Sequence, residues 1–144
     1  MCVIVDVNIA RHVLIEITDA YRPLSKAIYD GRLPIVHGGK LTDEYKKNGE
    51  LLDSVVALDQ AGLAKRISEK LINQELSKID TKCSSDDEHI VALARASGAR
   101  LLCSDDRALQ EDFGSKGLVD KPRGRIYKNQ THKHLIRDSC DKCS

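Results

Sequence analysis

The chain is poor in aromatic residues, with no tryptophan, one phenylalanine and four tyrosines among its 144 residues. Aliphatic side chains must therefore build the hydrophobic core, and a chain of this length is most economically one domain. Long apolar runs are also absent, since no segment approaches the roughly 20 apolar residues of a membrane-spanning helix. The apolar start at Val3–Val5 is too short for a signal peptide and has no basic region before it. We therefore expect a cytoplasmic protein without membrane contact.

Cysteine occurs in an odd number, five, in a chain that shows no export signal. This usage predicts free thiols in a reducing cytosol. Near the end of the chain, His132 and His134 precede Cys140 and Cys143, which gives two of the elements of a zinc site. The spacing is not that of a standard zinc finger, so a frayed chain end is the competing interpretation.

A large excess of charge is absent, because the formal net charge is +1, but the charges are unevenly distributed. Residues 115–144 carry eight Lys/Arg against three acids, whereas residues 1–114 carry fifteen against nineteen. An acidic body with a basic end is compatible with a metal site beside a phosphate-binding surface, and equally with a solvated tail. We predict a domain of residues 1–130 followed by a basic tail of residues 131–144.

Short apolar strands alternate with amphipathic helices along the chain, which predicts an α/β sandwich around a mostly parallel sheet. The pattern predicts strands at Val3–Val5, 33–36, Leu101–Cys103 and 125–127. It predicts helices at 8–18, 19–29, 40–47, 50–60, 63–79, 85–97 and 105–113. In the helix before Gly98, Ser85 is the expected N-cap, and the apolar side follows a 3.6-residue period through Ile90, Leu93, Ala94 and Ser97.

Acidic residues lie at four places where a strand ends or a helix begins: Asp6, Asp43/Glu44, Asp86/Asp87 and Asp105/Asp106. Open α/β sheets bind ligands beyond the carboxyl ends of their strands, so acids there converge if the strands are neighbours. Carboxylate oxygens suit Mg²⁺ or Mn²⁺, which activate a bound water and neutralise charge on a phosphate. The pattern therefore predicts phosphodiester hydrolysis. The competing interpretation is that the acids serve only as helix caps.

The order of these motifs resembles that of the PIN-domain nucleases. The resemblance rests on VIVDVN at residues 3–8, GKLTDEY at 39–45, DEHIVALA at 87–94 and LCSD at 102–105, and PRGRIY at 122–127 resembles the closing strand. It implies a five-stranded parallel sheet with helices on both faces and a Mg²⁺- or Mn²⁺-dependent endoribonuclease.

By the family pattern, four acids would form the catalytic and metal-binding set: Asp6, Glu44, Asp87 and Asp105. Asn8 and Ser104 would be polar supports. Departures from the pattern leave Asp86 against Asp87 and Asp105 against Asp106 open by one residue, and Asp43 is a weaker rival to Glu44.

Among the basic residues we select Lys40 and Arg107 as candidates for contact with substrate phosphates. His89 lies beside the acids, but we predict a surface or half-buried histidine rather than a catalytic base. The partners we expect are RNA, an antitoxin protein and a second copy of this chain, because many relatives in the resembled family are toxins of toxin–antitoxin pairs.

Two other functions compete with this one. A non-catalytic PIN-like module would bind protein or RNA and use its acids only as caps. A receiver-type phosphoacceptor domain ranks last, because it would have paired acids after its first strand, where this chain has Asp6 alone.

Overall fold

A five-stranded sheet forms the centre of the structure, a computed structural model that describes residues 1–79 and 82–137. In chain order the strands are β1 (Val3–Val5), β2 (Ile35–His37), β3 (Ala64–Arg66), β4 (Leu101–Cys103) and β5 (Arg125–Ile126). Their spatial order is β3-β2-β1-β4-β5, and every neighbouring pair is parallel. The predicted α/β class with a parallel five-stranded sheet is thus confirmed.

Helices connect the strands and cover the sheet. They are α1 (Val7–Leu14), α2 (Arg22–Tyr29), α3 (Gly39–Lys46), α4 (Gly49–Gln60), α5 (Glu69–Ile79), α6 (Glu88–Ser97), α7 (Arg107–Phe113) and α8 (Lys133–Arg137). Short 3₁₀ turns occupy Asp19–Tyr21 and Gln130–His132. No helix within the two described ranges combines the length and the apolarity needed to cross a membrane.

The two central strands are fully buried, which explains their continuous apolar sequences. Val3 pairs with Leu101 and Val5 with Cys103, so β1 and β4 end side by side. The residues that follow them, Asp6 and Ser104, therefore begin at the same edge of the sheet.

Helix α6 confirms the predicted apolar side, because Ile90, Leu93, Ala94 and Ser97 are all buried. Gly98 ends the helix in the left-handed conformation at φ 83°. The predicted N-cap is wrong: Asp87, not Ser85, is the residue before the helix. Ser85 forms a turn instead, in which its hydroxyl accepts a hydrogen bond from the Asp87 amide.

The predicted helix over residues 63–79 is also wrong in its first part. Ala64–Arg66 pairs with β2 as an edge strand, and the helix begins only at Glu69. Lys65 and Arg66 are exposed, so this strand lacks the apolar run that betrays a buried one. The side of this helix that faces the core includes Ile72, which is buried, and not Leu71, which is 47% exposed.

The expectation of free thiols holds for only some of the cysteines. Cys83 and Cys103 are free, whereas Cys2 is disulfide-bonded. The zinc alternative involves Cys140 and Cys143, which lie outside the described residues. The proposed domain boundary falls within the 3₁₀ turn at Gln130–His132, and the following α8 packs against α2.

Candidate functional site

Asp6 is the most buried acid at the carboxyl edge of the sheet, at 4% exposure. Its Oδ1 accepts a hydrogen bond from the Val7 amide at 2.8 Å and thereby caps α1. Its Oδ2 accepts a hydrogen bond from the Ser104 hydroxyl at 2.7 Å, which links the ends of β1 and β4. Burial raises the pKa of Asp6; the bonds from Ser104 and Val7 oppose this shift and the charge of Glu44 adds to it.

Helix α3 brings Glu44 to the same edge. The neighbouring Tyr45 is fully buried and donates a hydrogen bond to the Val5 carbonyl, which fixes α3 against the end of β1. At the start of the helix, the His37 ring bonds to Thr42 at 2.9 Å and to Asp59 at 3.0 Å. These bonds hold the turn before α3 and so position Glu44.

The turn before α3 also requires glycine. A Cβ atom at Gly38 would lie 2.5 Å from the Ile67 carbonyl oxygen and 2.9 Å from the Ile72 side chain. Gly38 therefore lets β2 pass into α3 close to the segment that joins β3 and α5.

His89 joins α6 to α3 within the cluster. Its Nε2 lies 3.1 Å from Glu44 Oε1, and its Nδ1 lies 3.9 Å from Asp87 Oδ1. Only 7% of the residue is exposed, so the prediction of a surface or half-buried histidine is wrong. The first turn of α6 is packed against α3, and that contact buries the ring.

The protonation of His89 follows from its partners. Burial lowers the pKa of the ring, although the charge and hydrogen bond of Glu44 oppose the shift. An ionised Glu44 can only accept a hydrogen bond, so a neutral ring carries its proton on Nε2. Nδ1 is then a buried acceptor, and it has no hydrogen-bond partner.

Asp87 is the acid on which the others act most strongly. It precedes α6, yet its carboxylate caps no backbone amide of that helix. Burial raises its pKa to about 6, together with the negative charges of Asp6, Asp106 and Glu44. A hydrogen bond with Asp106 also contributes to the shift. Capping alone does not explain a carboxylate in this position.

The two members of each acidic pair have different surroundings. Asp87 is half-buried in the cluster, whereas Asp86 is exposed. Asp106 lies against Asp87 and also caps α7, accepting a hydrogen bond from the Leu109 amide at 3.1 Å. Asp105 is exposed, and its charge acts on Tyr21 and Cys103.

The supporting residues contact the site in different ways. Ser104 binds Asp6 directly, as described above, and its hydroxyl also accepts a hydrogen bond from the Asp106 amide at 3.1 Å. Asn8 is exposed, and its side-chain oxygen accepts a longer hydrogen bond of 3.4 Å from the Asp105 amide.

The two predicted phosphate contacts are exposed cations at the same edge. Lys40 lies in the first turn of α3, and its positive charge helps to lower the pKa of His89. Arg107 is the first residue of α7, directly after Asp106. Both positions leave the charged group open to a ligand.

The cluster is rich in hydrogen-bond acceptors and poor in donors. Glu44 and Asp87 flank His89, whose free nitrogen is itself an acceptor, and Asp106 lies against Asp87. A divalent cation suits such a donor set, because it would relieve the repulsion between the carboxylates. Across the residues that the structure describes, however, no three Asp, Glu, His or Cys side chains stand as a ready metal-binding group.

Comparison with known proteins adds no relationship. No family model matches the chain, and neither the curated proteins nor the solved structures yield a match.

Proposed function

We propose that the protein is a Mg²⁺- or Mn²⁺-dependent endoribonuclease that hydrolyses phosphodiester bonds in RNA. Its site comprises Asp6, Glu44, Asp87 and Asp106, with Asp106 in the role that the sequence pattern assigned to Asp105. The observation that carries the proposal is the convergence of the acids: His89 links Glu44 to Asp87, and burial together with the charges of Asp6, Asp106 and Glu44 raises the pKa of Asp87 to about 6. Charges of one sign held together at a sheet edge are the arrangement that a cation stabilises.

The chemistry follows from the side chains and the ion they would hold. When bound, a divalent ion lowers the pKa of a water ligand and neutralises charge on the phosphate. Ser104 keeps the Asp6 carboxylate in place, and His89 orients Glu44. Lys40 and Arg107 would hold the phosphates of the strand.

The choice of RNA rests on the sequence resemblance to PIN-domain nucleases. The same resemblance is the support for a toxin with an antitoxin partner. From the sequence alone we also expect the protein to form a homodimer and to lie in the cytoplasm.

A non-catalytic binding module is the second candidate, and a specific observation favours it. The carboxylates of Asp6 and Asp106 both cap helices, and the described residues offer no ready metal-binding group. In that function the carboxylates of Asp6 and Asp106 would serve only as helix caps.

Cleavage of labelled RNA separates the two candidates. We expect single-stranded or looped RNA to be cut in Mn²⁺ or Mg²⁺ and to remain intact in EDTA. Asp6→Asn and Asp87→Asn should each lower the rate about 100-fold or more, since even residues that only support metal ligands are worth 10- to 100-fold.

The matched control is Asp86→Asn, which removes the same charge from an exposed neighbour. It should retain the activity of the unaltered chain. Asparagine caps helices as well as aspartate, so Asp6→Asn should still fold. Equal cleavage by all four proteins would refute the site, and no cleavage by the unaltered chain would favour the binding module.

A further inference from the structure

Four rings form a row that starts near the carboxylate edge and runs outward beyond β5. Tyr21 and Tyr127 have ring centres 6.0 Å apart, those of Tyr127 and His132 are 6.3 Å apart, and those of His132 and His134 are 6.4 Å apart. The ring planes of the first pair are tilted by 41°, and the other two pairs pack edge to face.

The row is anchored at the functional edge of the sheet. Tyr127 follows β5, which is parallel to β4 and therefore ends at the same edge. Its hydroxyl donates a hydrogen bond to the Ala20 carbonyl at 3.0 Å. Tyr21 is close enough to Asp105 for that charge to raise the pKa of its hydroxyl, although burial is the larger cause.

Exposure increases along the row. Tyr127 is buried at 1% exposure and Tyr21 is nearly buried, whereas His132 is half-buried and His134 is exposed. The inner rings therefore belong to the core, and the outer imidazoles present their surfaces to solvent.

Backbone hydrogen bonds fix both imidazoles. The Lys128 amide donates to His132 Nδ1 at 3.0 Å, and His134 Nδ1 lies 3.1 Å from the Thr131 carbonyl, to which it donates. Rings that are already held in place lose little conformational freedom when a ligand packs on them.

Positive charge accompanies the exposed rings. Lys133 lies between the two histidines in sequence and lines a cavity of about 270 Å³ between α2 and α8. Lys26 and Arg32 line the same cavity, and both form ion pairs with Asp30. Exposed rings with a lysine between them in sequence match the combination of stacking surface and positive charge found in proteins that bind single-stranded nucleic acids.

We propose that His132 and His134 form a stacking platform for unpaired bases of single-stranded RNA, with the Lys133 cavity accepting adjacent phosphates. The platform would lead a strand toward Asp105 and the carboxylate edge. The assignment of RNA rests on the proposed function, but binding to the platform requires no cleavage.

Binding without cleavage tests the platform directly. Fluorescence anisotropy would follow a labelled oligouridylate titrated with the full chain in EDTA, with the oligouridylate–oligoadenylate duplex as the comparison ligand. We expect His134→Ala to weaken binding of the single strand by about 5- to 100-fold, the range that one base–aromatic stack contributes.

Two further variants make the test specific. His134→Phe keeps a flat ring and should retain most of the affinity, whereas His12→Ala removes an exposed histidine from α1 and should leave the affinity unchanged. The proposal is overturned by an unaffected His134→Ala, by a phenylalanine variant as weak as alanine, by equal affinity for the duplex, or by no binding.

The outcomes also separate this proposal from the proposed function. If the single strand binds through His134 but the unaltered chain cleaves nothing in Mn²⁺, the nuclease is refuted and the platform stands. If cleavage occurs while binding is independent of His134, the platform is refuted and the nuclease stands.

Discussion

At the scale of single residues, the hydrogen bonds of Ser104 bear on the different positions of Asp105 and Asp106, the two acids that follow β4. The chain bends at Asp105 after β4, and the Asp106 amide donates a hydrogen bond to the Ser104 hydroxyl across this turn. Ser104 points inward to Asp6, Asp105 is exposed, and Asp106 lies inside again beside Asp87. From this geometry we propose Asp106 as the fourth acid of the candidate site.

This assignment predicts a difference between two neighbouring substitutions. Asp106→Asn should reduce RNA cleavage about 100-fold while retaining the cap of α7, because asparagine also accepts the Leu109 amide bond. Asp105→Asn should change the rate at saturating RNA by less than about threefold, well below the 10-fold loss that a supporting residue causes. Parallel turnover assays and thermal melts of both variants provide the measurement. The reverse ranking would restore Asp105 to the site.

At the scale of elements, α7 holds the segment that leads into α6. Asp112 in α7 is buried, and its two oxygens accept hydrogen bonds from the Ser84 and Ser85 amides, each at 2.9 Å. This clamp fixes the turn immediately before Asp87. Burial of Asp112 acts to raise its pKa, but the bonds from the serines outweigh it, so the net pKa is lowered.

The clamp predicts a pH-dependent stability. Asp112→Asn removes a charged acceptor from two amides and should lower the free energy of unfolding by about 1–3 kcal/mol at pH 7. Because the pKa of Asp112 is lower when folded than unfolded, its contribution is present above the unfolded value and is lost as pH falls through the folded value. Urea unfolding of both proteins should show a gap that narrows in acid. A constant gap down to pH 3, about one unit below the unfolded pKa of an aspartate, would contradict the clamp.

The sequence predicted the elements whose signal is local. Apolar runs predicted β1 and β4, and the 3.6-residue period predicted α6. Strand β3 was missed because its edge position leaves two charged side chains exposed, so only pairing with β2 defines it.

In the candidate site, too, some features could be predicted from the sequence and others could not. Acids beyond the ends of neighbouring parallel strands were predicted to converge, which concerns Asp6 after β1 and Asp105 after β4. The two strands are neighbours, yet Asp105 is exposed, and the charge of Asp6 acts instead on Asp87, before α6. The role of His89 was missed, because residues two apart on a helix do not face each other. Asp87 lies before the helix, in a non-helical conformation, which lets its carboxylate approach His89 Nδ1.

At the scale of the whole molecule, bringing the acids of the cluster together lowers the free energy of unfolding. Asp6, Glu44, Asp87 and Asp106 come from distant parts of the chain, so the unfolded state keeps their charges apart. In the folded state the pKa of Asp87 is raised to about 6, above its usual value. The contribution of Asp87 to stability should therefore fall as pH rises from about 4 to about 6, since the folded state holds this proton more tightly, whereas the lowered pKa of His89 acts in the opposite direction.

A divalent ion should restore the lost free energy of unfolding, because an ion that binds the folded state alone stabilises that state by mass action. At about 100 times its dissociation constant, Mn²⁺ should add about 2.7 kcal/mol to the free energy of unfolding. For a domain of this size each kcal/mol corresponds to about 2–4 °C in Tm.

Thermal melts in Mn²⁺ and in EDTA measure the shift for the unaltered chain and for Asp87→Asn, with Asp86→Asn as the matched control. We expect the shift to persist in the control and to disappear in Asp87→Asn, which should itself melt higher than the unaltered chain in EDTA at pH 7. An equal shift in all three proteins would place the ion elsewhere, and no shift in any would leave the acids as helix caps.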